Sequence, residues 1–113
     1  MNRKIRSERS CVRSSAWPSP QALTRTATIL GAIAHPTRLA VLYALVREGA
    51  LPVGRLQEIS GTEQSALSHQ LRVLRDAELV SATRSGRHII YDLSDDYVSH
   101  LVEDALSRAQ ESS

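Results

Sequence analysis

Apolar residues recur first with a helical period and later in alternation, and the order of the two periods predicts the architecture. Leu23, Ala27, Leu30, Ile33 and Ala34 share one side of a first helix over about residues 20–34. Ser19 supplies an N-cap hydroxyl for it and Pro20 a pre-set first helical position. His35-Pro36 interrupts that helix, because proline lacks an amide donor and disfavours helical geometry in the residue before it. Leu39, Val41, Leu42, Leu45 and Val46 mark the buried side of a second helix ended by Gly49. After the extended piece Leu51-Pro52-Val53, Leu56 and Ile59 line a brief third helix that stops at Gly61. Thr62 reads as the N-cap of a fourth.

The fourth helix is the most informative. Leu67, Leu71 and Leu74 form a core stripe at i, i+4 and i+7, while Gln64, Ser65, Ser68, His69, Arg72 and Arg75 occupy the opposite face. Two short helices joined by a glycine-containing turn, the second polar and basic outside, are the elements of a helix-turn-helix. The period then changes. Residues 79–84 and 87–93 are β-prone segments around Ser85-Gly86, a hairpin signal. A last helix from about Ser94 to Gln110 carries Val98, Leu101, Val102, Ala105, Leu106 and Ala109 as its apolar stripe. The predicted fold is mainly α with a small β-hairpin, a winged helix-turn-helix.

Composition limits the alternatives. A chain of 113 residues, 42% apolar but only 4% aromatic, supports one small core of Leu, Ile, Val and Ala that gains from dimerisation. Residues 1–19 are expected to form a disordered basic arm, and 20–111 the folded domain. The net charge of +2 hides a polarity: residues 1–19 carry +4 and residues 92–113 carry −5. Arginines in the arm would add non-specific attraction to phosphate. The single cysteine, Cys11, excludes an internal disulfide framework. Without an 18-residue apolar run or a signal-like N-terminus, the expected compartment is the cytoplasm, with no membrane partner.

The fourth helix would enter the major groove of double-stranded operator DNA, with Gln64, Ser65, Ser68 and His69 facing base edges and Arg72 nearer phosphate. The wing would lay Arg84, Arg87 and His88 along the neighbouring backbone or minor groove. Any one of these residues taken alone could be ordinary surface, and Arg84 or Arg87 could be paired with a carboxylate. Their joint position opposite a clean leucine stripe favours DNA. A winged module that meets a co-regulator protein instead is the rival reading. An enzyme is disfavoured, since no glycine-rich phosphate loop or metal-hydrolase histidine spacing occurs.

The segments His35-Pro36-Thr37-Arg38-Leu39-Ala40-Val41-Leu42, Glu63 to Leu74 and Arg84 to Leu93 resemble the second-helix entry, recognition helix and wing of the ArsR/SmtB family of transcriptional regulators. The similarity is greatest to its actinobacterial metal-sensing branch, which includes nickel sensors. The resemblance covers about residues 20–111. It implies a homodimer built on the first and last helices, and repression relieved by an effector such as nickel or zinc. One metal site of such relatives uses thiolates at the third helix, where this chain has Pro52-Val53-Gly54-Arg55-Leu56 and no cysteine. Another lies across the paired last helices; its Asp matches Asp95, but its His position holds Tyr97, and its later positions fall on Arg108 and Glu111. Two alternatives stay open: a regulator independent of metal, or a relocated site drawing on Asp95, Asp96, His100 and Asp104, with Cys11 or the terminal amine.

Overall fold

The first break in the chain is set by two caps. In the computed structural model, which describes residues 16–111, helix α1 spans Pro20–Ile33 and helix α2 spans Pro36–Glu48. Ser19 caps α1 by accepting from the Ala22 amide at 3.0 Å. The His35 side chain caps α2, its Nδ1 accepting from the Thr37 amide at 3.1 Å. With proline at the first position of each, the two helices meet at 88°.

Strand β1 (Leu51–Pro52) leads into α3 (Val53–Ser60), and α4 covers Gln64–Asp76. Strands β2 (Val80–Ser85) and β3 (His88–Leu93) form the hairpin, and α5 runs over Asp96–Glu111. The sheet has three strands in the order β1-β3-β2, all antiparallel. The extended piece at 51–52 is thus a strand, paired Leu51 to Tyr91 and Pro52 to Ile90. Ser85 pairs with His88, so the turn consists of Gly86 and Arg87, with Gly86 in the left-handed region that a two-residue hairpin demands.

Helix α2 is the hub, packing on the other four helices and on β3. Leu42, Leu45, Leu56, Leu67, Leu74, Leu79, Val98 and Val102 are fully enclosed around it. Burying such side chains contributes about 1.5–3 kcal/mol each, so this cluster holds the fold together. No single helix among the described residues is long and apolar enough to cross a membrane.

Several expectations need correction. Thr62 does not cap α4: its hydroxyl is turned to the Ser60 carbonyl at 3.4 Å, and Glu63 takes the cap position. Helix α5 begins at Asp96, not Ser94. Of the two residues expected to line α3, Leu56 is buried and Ile59 is exposed. On α1, Leu23 and Leu30 are 51% and 50% exposed, and Leu101 on α5 is 39% exposed. These apolar positions keep helical spacing, but the described residues leave them largely uncovered. The arm lies almost wholly outside the described residues, as does Cys11.

Candidate nucleic-acid interface

The orientation of α4 follows from its leucines. Leu67, Leu71 and Leu74 are 0%, 2% and 0% exposed. A helix sunk so deeply on one side must present the other outward. Gln64, Ser65, Ser68, His69, Arg72 and Arg75 are all exposed on that outer face. Helix α3 precedes it across Gly61, which ends α3 in the left-handed region and donates its amide to the Gln57 carbonyl at 2.9 Å.

Two electrostatic features set the character of this face. Among the described residues the ion pairs are made by Arg55, with Glu48 at 3.5 Å and Glu58 at 3.2 Å. The guanidiniums of Arg72, Arg75, Arg84 and Arg87 have no carboxylate partner there, so their charge stays available to phosphate. At the entry to α4, the Ser65 hydroxyl donates to Glu63 Oε1 at 2.6 Å. That bond, helped by the Ala66 amide, holds the Glu63 carboxyl below the usual carboxylate range. One carboxylate therefore stands beside the basic face, and it occupies the hydroxyl expected to read bases.

The wing extends the same surface. Arg84 sits opposite Ile89 across the β2–β3 ladder, His88 opposite Ser85, and Arg87 in the turn itself. All three polar side chains are exposed. Three contributors escaped the sequence reading as site residues. Glu63 is one. The others are Arg38 on α2 and Gln70 on α4, both half-buried. Arg38 Nη1 donates to Gln70 Oε1 at 2.6 Å, while its Nε and Nη2 donate to the Ala32 and Gly31 carbonyls at 2.6 and 3.4 Å. Arg38 lies inside the His35-Pro36-Thr37-Arg38 segment; a cation directly ahead of the apolar run Leu39 to Val46 was the available signal.

The relocated metal site is not assembled within one protomer. Among the described residues no three His, Cys, Asp or Glu side chains stand together as a metal-binding group. Asp96 and Asp104 are eight residues apart on α5, a rise of about 12 Å, too far to share one ion. Asp95 is engaged at the head of α5, where its Oδ1 accepts from the Tyr97 amide at 3.3 Å. Asp96 with His100, or His100 with Asp104, leaves at most an i,i+4 pair of donors.

A profile for a helix-turn-helix domain matches residues 33–81. The chain is 47% identical over 98 residues to the HTH-type transcriptional regulator NmtR of Mycobacterium tuberculosis, covering 87% of this chain and 81% of that protein. The crystal structure of the AntR antimony-specific transcriptional repressor superposes with a TM-score of 0.75 at 31% identity, covering 83% of this chain and 85% of that one. A homodimeric winged helix-turn-helix DNA-binding domain from Mycobacterium bovis, described as a possible ArsR-family transcriptional regulator, matches with a TM-score of 0.74 at 26% identity over 85% of this chain and 91% of that one.

Proposed function

Because this chain belongs to the ArsR/SmtB family of winged helix-turn-helix transcriptional regulators, we propose that it binds an inverted-repeat operator as a homodimer and represses the genes beside it until an effector lowers its affinity. The family is one of regulators and not a class of enzymes, and the cytoplasm is where this work would be done. The observation that carries the reading is the sidedness of α4: three leucines sealed beneath, and a polar, cationic row in solvent above.

In this reading Gln64, Ser68 and His69 meet base edges in the major groove, with Ser65 shared between Glu63 and the DNA. Arg72, Arg84, Arg87 and His88 hold phosphates and so fix register without reading sequence. Two copies joined through α1 and α5 would cover Leu23, Leu30 and Leu101, the apolar surface that one protomer leaves in water. Their recognition helices would address half-sites about 34–36 Å apart, or a multiple of that.

A divalent metal as effector would need donors from both subunits or from residues 1–15, since α5 supplies only a pair per protomer. Calorimetric titration with nickel and with zinc, with and without operator, measures this coupling; by reciprocity an effector weakens DNA binding as much as DNA weakens effector binding. The DNA reading is tested by mobility shift on the chain's own promoter. Replacing Ser68 and His69 with alanine together is expected to lower discrimination between operator and random DNA by about 1–3 kcal/mol per lost base contact. Unchanged discrimination would overturn the assignment of α4.

A further inference from the structure

Two side chains at the head of α4 answer to each other. Ser65 donates its hydroxyl proton to Glu63 Oε1 at 2.6 Å, within the short range of a hydroxyl bonded to an ionised carboxylate. The Glu63 backbone is fixed as well: its carbonyl accepts from the Leu67 amide at 2.9 Å, and Leu67 is fully buried. Both polar side chains are exposed, at the end of a recognition helix that meets base edges. The core therefore holds the carboxylate at its backbone, and Ser65 holds it at its oxygen.

What the pair can accept or donate follows from its protons. The Glu63 carboxyl, held below the usual carboxylate range, is ionised at neutral pH and carries only lone pairs. A serine hydroxyl has one proton, here committed to Glu63, and two lone pairs. Toward a ligand the pair presents acceptors only. Among major-groove edges, guanine offers two acceptors, thymine an acceptor and a methyl, and adenine an amine beside the N7 acceptor. Cytosine offers its N4 amine with no acceptor of its own alongside. A carboxylate left unpaired among phosphates is repelled, so a mismatched base is rejected as well as missed.

We propose that Glu63, positioned by Ser65, is a specificity-determining residue that accepts from the N4 amine of one cytosine in each operator half-site. This rests on the DNA reading of α4 above, which gave the carboxylate no base. The acidic residue beside the basic face is then a selector of sequence, while the arginines supply attraction to any duplex.

Full-length protein is titrated by fluorescence anisotropy with duplexes of its own promoter in which each base pair is substituted in turn. The wild type is expected to show one pair per half-site where cytosine is preferred about tenfold over thymine. Glu63→Gln should shrink that preference to about twofold or less, because an amide can also donate to thymine O4, while preferences at other pairs stand. Ser65→Ala should weaken the same preference in part. Both side chains lie in solvent, so thermal midpoints should stay near that of the wild type, and a lost preference is then not lost folding. If Glu63→Gln tightens binding to operator and random DNA alike and leaves every base preference standing, the carboxylate merely repels phosphate and the proposal falls. It falls equally if the base discriminated through Glu63 is adenine, or if Ser65→Ala erases the preference and Glu63→Gln does not. A wild type that binds operator and random DNA equally removes the DNA reading first, and the cytosine assignment with it.

Discussion

Arg38 on α2 and Gln70 on α4 are joined by a 2.6 Å hydrogen bond across 32 positions of sequence. The same guanidinium holds the carbonyls of Gly31 and Ala32 at the end of α1. One side chain therefore fixes the recognition helix to the helix proposed to carry the dimer contact. Arg38→Ala is expected to cost about 1.5–3 kcal/mol in urea unfolding, the range for hydrogen bonds to a charged group. Gln70→Ala should cost less, and the double variant less than the sum, because the two share a bond. Operator affinity should fall for both, although neither residue lies on the outer face of α4.

Glu78 stands in the left-handed region at φ 61°. It follows the cap of α4, where the Leu79 amide donates to the Leu74 carbonyl and the Glu78 amide to the Arg75 carbonyl, both at 2.9 Å. This paired arrangement ordinarily takes glycine at the left-handed position. Glu78→Gly should raise stability by about 0.5–1 kcal/mol, the relief of backbone strain outweighing the greater freedom of the unfolded chain. Thermal unfolding measures it, and Glu78→Val should move the midpoint the other way.

Leu74 and Leu30 separate core from interface. Leu74 is fully buried, and Leu74→Ala should cost about 2–5 kcal/mol at any protein concentration. Leu30 is half exposed in the protomer. Leu30→Asp should leave that protomer folded, but should abolish the rise of Tm with protein concentration that a coupled dimer shows.

Ser65→Ala should let the Glu63 carboxyl climb back toward its ordinary value, as read by carbon NMR titration of the side chain. A carboxyl held below its unfolded value stabilises the fold above that value, and the contribution is lost as pH falls through the folded value. The two proteins should therefore differ at neutral pH and converge in acid. Full solvent exposure keeps the effect small.

The reach of sequence reasoning here follows physical lines. The leucine stripe of α4, the His35-Pro36 break and the existence of the hairpin were legible because each depends on residues within one or two helical turns, although its turn falls on Gly86-Arg87, one residue beyond the Ser85-Gly86 expected. Leu23, Leu30 and Leu101 were legible as members of apolar stripes, but spacing alone cannot distinguish a surface buried by its own chain from one left for another molecule. Arg38 and Gln70 could not be paired from the sequence, because their contact depends on how α2 crosses α4. The cap at Glu63 and the turn at Glu78 went unread because both positions hold residues that carry no strong local signal.

The pairing of Leu51 with Tyr91 and of Pro52 with Ile90 has a mechanical meaning. It stitches the inner strand of the hairpin to the doorway of α3, so gripping hand and reading finger are cast as one piece. In the proposed complex such a tool would not mould itself to the double helix; it would select those stretches whose grooves already lie at the angle its two edges subtend.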